Sequence, residues 1–541
     1  NAGTNEVEIF DPVGLTMLAS KNAASLAAVV VNGTDLADDK LQINFTGFPT
    51  TIPIFFNGGL GPSNAGVGAE ELIFFNNANT ATTYDYDGRV VSLDGHEVGY
   101  TGLEILANRG TSTTQNFNFT AGSETVSLAD VGTPMPGAPR PDAAGQSTRL
   151  NITGVALPQT DFVNPAAAGI VNLNLGGGAD TVQLTNAVTS FAGSLAIDTG
   201  DPGDGDLTSL NLALTVGGRF SVVDSATVAV GAPLTSTSTI ANAVSISGGT
   251  VNLSDQVTAA NSTVVIVATG SIVDGNGAAK NVVATSAVLR ATGGVGTAAD
   301  PIETQVSNLA GTAAGTGFHV SNMGVLDITT VDGTMGIAVS NGGVSVVNDS
   351  PVTVSQNVTE TNGGNIALTA TDNAVGPEPD TLIVNASVQA TGGNGNISLA
   401  GENVTINSGA FTPTVSTVGG GTITVTSIAT STLGANSTVQ SAGGAITFTN
   451  DDIVIDAAAT VNSGVGTTTI EPSSNGQLVT LGSAANTLSV SDAELDRITA
   501  GVIHVGSATA GNLTVAENVS PSGTTTLHLE TGGSVDDGVG N

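Results

Sequence analysis

From about residue 240 onward the chain repeats one short phrase, in which glycines are followed by apolar residues at every second position. It reads SGGTVNLSDQV at 247–257, NGGNIALTATD at 362–372, GNGNISLAGENVTI at 393–406, GGGTITVTS at 419–427 and AGGAITFTNDDIVI at 442–455, with the related AGNLTVAENV at 510–519. A period of two places one set of side chains on a single face of a strand. Helical stripes are nearly absent. The stretch SDAELDRITA at 491–500 predicts a single helical turn capped by Ser491 or Asp492, with Glu494 in the first turn, and a loop is the alternative. Gly, Asn, Asp and Ser gather between the alternating runs, where they serve tight turns between short strands.

Equivalent apolar positions in four of these phrases are Ile366, Ile397, Ile423 and Ile446, spaced 31, 26 and 23 residues apart. Spacings of roughly 20–50 residues belong to stacked-repeat architectures, and the unequal lengths place insertions in loops. A chain of immunoglobulin-like sandwiches would repeat at about 100 residues around larger aromatic anchors. The predicted fold is therefore all-β, a parallel β-helix (β-solenoid) in which each coil contributes two or three short strands. With about 24 residues per coil, stacked at about 4.8 Å, the expected rod is on the order of 100 Å long.

The first part of the chain has a different texture. Phe10, Phe45, Phe55, Phe56, Phe74, Phe75, Tyr84, Tyr86 and Tyr100 all lie there, in runs such as KLQINF and EELIFF. The expected organisation is a more irregular β-rich N-terminal region over 1–131 and a Pro/Gly-rich linker or long loop over 132–148 (GTPMPGAPRPDAAGQST). A first stretch of solenoid follows over 149–240, and regular repeats run over 241–541.

Composition sharpens this picture. Gly contributes 72 of 541 residues, aromatic residues 3% and charged residues 10%, with no Trp and no Cys. A small, branched, cysteine-free repertoire suits a narrow repeated core. It also excludes a disulfide framework, a thiolate nucleophile and any Cys-ligated metal. Ten Lys and Arg against 46 Asp and Glu give a net charge of −36. Nucleic acid is thereby disfavoured as a partner, because affinity for a polyanion comes from basic side chains that displace counterions. No apolar run reaches the roughly 18 residues of a membrane span. The chain opens at Asn1 with no leader pattern and reads as a processed subunit or a segment of something longer.

Two longer stretches, ATGSIVDGNGAAKNVVATSAVLRATGGVGTAADPIET at 268–304 and LSVSDAELDRITAGVIHVGSATAGNLTVAENV at 488–519, resemble the haemagglutinin-type β-strand-repeat surface proteins of bacteria, the filamentous haemagglutinins and autotransporter-like adhesins. VVSLDGHEVGYTGLEIL at 90–106 resembles units of very large acidic bacterial surface proteins. The resemblance is one of repeat style. It implies a right-handed parallel β-helix at the cell surface, used for adhesion, as a stalk or as fibre material, and it implies no catalytic residues.

Candidate chemistry rests on carboxylates. DTGDPGDGD at 198–206 sets Asp198, Asp201, Asp204 and Asp206 among glycines, just after GGGAD at 176–180. Calcium takes several hard oxygen ligands on a bendable loop, so these four are candidate calcium ligands, and a solvated acidic turn is the other account. The sequential pairs Asp38-Asp39, Asp451-Asp452 and Asp536-Asp537 point to opposite faces of a strand and make poor acid/base pairs. His96, His319, His504 and His528 stand singly and read as surface or strand-edge residues. Asn-x-Ser/Thr triplets at Asn32, Asn44, Asn151, Asn261, Asn396 and Asn436 permit glycosylation without indicating it.

The expected function is that of an extracellular or bacterial cell-surface structural protein, not an enzyme. It would form or extend a fibre by head-to-tail stacking on copies of itself or on neighbouring repeats of a longer chain. The alternative is an adhesin, in which the N-terminal aromatics, above all Tyr84, Tyr86 and Tyr100, bind glycan or protein and the solenoid is a stalk. Exposure of those three tyrosines on one face decides whether the sugar-stacking version has support.

Overall fold

The computed structural model describes residues 6–10, 17–22, 26–33, 39–44, 52–59, 70–75, 78–130, 147–153, 157–186, 190–201, 203–371, 379–407, 409, 412–482 and 488–538. Strand accounts for 56% and helix for 1%, so the class is all-β, and most of the pairing is parallel. Contacts divide the chain into two units, Asn1–Ser262 and Thr263–Asn541, each described by itself below.

In the second unit, from Gly343–Asn348 to Thr467–Glu471, consecutive strands cycle through three parallel ladders, each strand pairing with the third one along the chain. The first ladder runs through Gly343–Asn348, Ile366–Ala370, Ile397–Gly401, Ile423–Ser427, Ile446–Thr449, Thr467–Glu471, Val502–Gly506 and Leu527–Glu530. A second runs from Val352–Val354 through Thr381–Val384, Asn403–Ile406 and Thr430–Leu433 to Asp452–Ile455. The third runs from Val358–Glu360 through Val388–Ala390, Thr414–Thr417 and Thr438–Gln440 to Thr460–Asn462. The repeat alignment read from sequence is the pairing register itself: Ile366 faces Ile397, Ile397 faces Ile423 and Ile423 faces Ile446. All four are buried. Fully burying such a side chain contributes roughly 1.5–3 kcal/mol, so every added repeat extends the core by a fixed increment.

The glycine that opens each phrase has a separate cause. Gly364, Gly395, Gly421 and Gly444 each lie two residues before their Ile, and each packs flat on the repeat below. A Cβ added to Gly395 or to Gly421 would stand 2.3 Å from the carbonyl oxygen of Gly364 or Gly395 in turn, and one added to Gly444 would stand 2.0 Å from that of Gly421. The recurring glycine therefore answers to close backbone approach at the corner before the strand.

The one-turn helix is present at Asp492–Leu495. Ser491 is its N-cap, its hydroxyl accepts from the Glu494 N–H, and the Glu494 carboxylate accepts from the Ser491 N–H at 3.0 Å, a complete capping box. Leu495 anchors it in the core.

The first unit is built from the same kind of ladder. Lys40–Asn44, Glu71–Phe75, Ile105–Asn108 and Gln159–Val163 pair in parallel in that order. A second series joins Ala78–Asp85, Thr111–Asn118, Ile170–Asn174, Ser194–Asp198 and Phe220–Val230. A third joins Thr125–Asp130, Thr181–Asn186 and Leu207–Leu210. Antiparallel pairs interrupt these ladders. Val90–Leu93 pairs antiparallel with Ala78–Asp85 and with His96–Thr101, and Ser147–Thr153 with Thr125–Asp130 and Gln159–Val163. Most of the Pro/Gly-rich stretch 132–148 lies outside the described residues, its last two belonging to Ser147–Thr153. Strands on either side of it pair directly, Ile105–Asn108 with Gln159–Val163 and Thr111–Asn118 with Ile170–Asn174.

Because the glycine column is a contact between backbones, Gly421→Ala is expected to cost roughly 1–3 kcal/mol, the usual penalty for overpacking. Gly420→Ala, whose Cβ would meet nothing closer than 3.7 Å, should stay within about 0.5 kcal/mol of wild type. Urea unfolding midpoints of the two variants, followed by circular dichroism, check the difference.

Candidate functional site

The four aspartates of the 198–206 loop do not converge. Asp198, at the end of Ser194–Asp198, accepts from the Gly200 N–H at 3.0 Å, and exposed Asp201 from the Gly203 N–H at 2.9 Å. Exposed Asp204 accepts from the Gly178 N–H at 3.0 Å, and buried Asp206 from the Asp180 N–H at 2.8 Å. Asp198 and Asp201 thus cap turns of their own loop, whereas Asp204 and Asp206 reach N–H groups 26 residues earlier. Among the described residues, no group of three or more His, Cys, Asp or Glu is already arranged to hold a metal ion.

Asp206 belongs instead to a column. It lies beneath Asp180, and the Asp180 carboxylate in turn accepts from the Glu124 N–H at 2.8 Å. Glu124 ends the column by accepting from the N–H and hydroxyl of Thr120. All three are buried, and each keeps one carboxyl oxygen (Glu124 Oε2, Asp180 Oδ2, Asp206 Oδ2) without a hydrogen-bond partner. Stacking like charges one repeat apart in a region shielded from water disfavours ionisation. Burial, reinforced by the Glu124 and Asp206 carboxyls, pushes the Asp180 pKa up to about 7 against the pull of the Glu124 N–H. Burial also raises Asp206, with Asp204 and Asp201 adding to it.

A second acidic group lies in the other unit. Asp274 is buried, its Oδ1 accepts from the Asn276 N–H at 3.0 Å and from Asn281 Nδ2 at 2.6 Å, and its Oδ2 has no partner. The Asn281 amide oxygen accepts from the Glu303 N–H at 2.8 Å. Burial, then Asp274, then Asp300 hold Glu303 at about 7. Sequence reading singled out Asp206 and noted GGGAD, which holds Asp180, just upstream of it, but it did not pair the two and it missed Glu124, Asp274 and Glu303. The acidic neighbours that matter, Asp180 for Glu124 and Asp274 for Glu303, lie a repeat away in sequence, and no local spacing signals them.

The tyrosines are corrected here. Tyr84, Tyr86 and Tyr100 are all buried, at 1%, 1% and 5% exposure. Tyr84 stacks on Phe117 at 4.5 Å and 7°, Phe117 packs on Phe162 at 4.9 Å, and Tyr86 on Phe119 at 5.1 Å. Their hydroxyls are satisfied inside, Tyr84 by Asn108 at 3.0 Å and Tyr86 by Thr160 at 2.7 Å. These rings fill the core because an interior wide enough for Phe also takes Tyr when a polar partner is within reach. The sugar-stacking version of the adhesin loses its support.

The remaining singletons are ordinary. His319 is buried with Nε2 2.9 Å from the Thr316 carbonyl. Asp451 accepts from Ser473 at 2.6 Å and Asp452 from Ser489 at 3.1 Å, so this sequential pair binds two different neighbours. Compared with protein-family models, curated proteins and solved structures, the chain matches none. No helix among the described residues is long and apolar enough to cross a membrane.

The Asp180 shift gives a signed expectation. A carboxyl whose folded pKa stands above its unfolded value of 3.8 contributes stability that is full below about pH 4 and lost as pH rises through about 7. Melting temperatures measured from pH 5 to 8 should fall more steeply for wild type than for Asp180→Asn, which carries no charge at any pH. Parallel profiles would refute the assignment.

Proposed function

We infer that each unit is a stretch of parallel β-solenoid and that the protein is an extracellular structural element, forming or extending a cell-surface fibre by head-to-tail stacking. The observation that carries this reading is the three-ladder cycle. One strand from each ladder per repeat, paired with the third strand before and after, is the pairing that a coil of three short strands makes when coils stack.

Such a stack is extensible by its nature. Among the described residues, Leu527–Glu530 pairs with Val502–Gly506 on one side only. A strand edge of this kind accepts another copy or further repeats of a longer chain, since its N–H and C=O groups await partners. The net charge of −36 keeps the sides of neighbouring molecules apart while ends join. No catalytic residue is assigned in this reading. Calcium enters only as a counter-ion that lowers repulsion, since Asp198, Asp201, Asp204 and Asp206 each hold a different backbone N–H and do not share one position. The exposed carboxylates of Asp201 and Asp204 are its most accessible ligands.

Electron microscopy of the purified chain over a range of concentrations tests the reading. Filaments that lengthen with concentration are the expected outcome, and discrete particles at every concentration overturn self-assembly. If filaments shorten in chelator, and Asp201→Asn/Asp204→Asn removes that sensitivity, the calcium arm stands. Filaments indifferent to chelator remove it.

A further inference from the structure

Along the first ladder of the second unit, the row Ser345, Ala367, Ser398, Thr424, Thr447 and Thr469 is made of small residues throughout. The row then changes character. Thr469 faces His504, and His504 faces His528. The two imidazoles stack at 4.4 Å with 19° between their planes. Glu530 lies two residues beyond His528 on the same strand, opposite Gly506, and alternation puts it on the same face.

The contact between Glu530 and His504 is unusual. Glu530 Oε2 lies 3.1 Å from His504 Nε2, an ion pair when the imidazole is protonated, though without the alignment of a hydrogen bond. Two oxygen or nitrogen ligands about 2.0–2.1 Å from a tetrahedral ion stand about 3.3 Å apart. These two atoms therefore have the separation of a ligand pair without the alignment of a hydrogen bond. His528 is exposed, so its ring turns about its own side-chain bonds with little hindrance. No trio is pre-arranged among the described residues, so His528 must turn before all three side chains can meet one ion.

We propose that His504, His528 and Glu530 form a zinc site on the outer face of this ladder. Imidazole nitrogen selects borderline ions such as zinc, whereas calcium prefers all-oxygen sets, so the row break sorts metals differently from the acidic loops. A fourth position is left to water or to a group from another molecule. The site stands independently of the fibre reading.

The test is calorimetric titration of the full chain with zinc chloride near neutral pH, with excess calcium chloride to occupy general surface carboxylates. The expected result is one tight site per chain, weakened about ten-fold or more in His528→Thr and absent in His504→Thr/His528→Thr. Threonine is the replacement because the same row already carries it at Thr469, and circular dichroism verifies that the variants keep their strands. In parallel, zinc should raise the melting temperature of wild type and leave that of the double variant unmoved. Absence of a one-per-chain site in wild type, or equal zinc affinity in the double variant, overturns the proposal and leaves the histidines as a stacked surface pair.

Discussion

Parallel backbone pairing between successive repeats is the constraint on which the rest of this structure depends. Once the N–H and C=O groups of one strand are committed to the strand a repeat away, side chains at equivalent positions are held about 4.8 Å apart in columns. Whatever occupies a column must tolerate its own kind above and below. Branched apolar side chains do so at Ile366, Ile397, Ile423 and Ile446. At the corner before them the backbones approach so closely that Gly364, Gly395, Gly421 and Gly444 have no room for a Cβ. The Gly-x-Ile phrase is thus two steric requirements of one contact, one for filling space and one for leaving it.

Polar residues meet the same constraint with different success. Asparagine carries a donor and an acceptor, so a column of it closes on itself. Asn172 donates to Asn116 at 2.7 Å, Asn174 to Asn118 at 2.9 Å and, in the other unit, Asn322 to Asn348 at 2.8 Å. An ionised carboxylate is acceptor only. Asp180 and Asp206 therefore each use one oxygen to accept a backbone N–H of the neighbouring repeat, Glu124 uses one on Thr120, and all three leave the other oxygen unpaired. Protonation relieves the conflict, which is the physical content of the raised Asp180 pKa. A column of like groups in low dielectric either shares hydrogen bonds or sheds charge.

Outward-facing rows carry little chemistry while they stay uniform. Rows of Ser and Thr present hydroxyls at regular spacing and fit a surface whose task is coverage. Distinct chemistry arises where a row breaks, as at His504 and His528, where register places two imidazoles face to face and alternation adds Glu530. A fibre-forming role and a local metal site are compatible, since the first uses the strand edges and the second an outer face.

Much of this was legible in the residues themselves, and what was legible was local. Period-two alternation announced strands, the spacing of Ile366, Ile397, Ile423 and Ile446 announced their register, and Ser491 with Glu494 announced the one helical turn, because each signal lies within a few residues or recurs at a repeat length. The tyrosines misled because composition reports that an aromatic is present and not which way its ring faces. In the structure Tyr84, Tyr86 and Tyr100 point inward, where Asn108 and Thr160 satisfy the first two hydroxyls. Tertiary pairing alone decided which carboxylates meet, since Glu124 and Asp180 are 56 residues apart and Asp180 and Asp206 are 26 apart. Loop insertions make such separations unequal. The sequence determined the repeating strand and its apolar face, and only the stacking of one repeat on the next determined which polar side chains share a column.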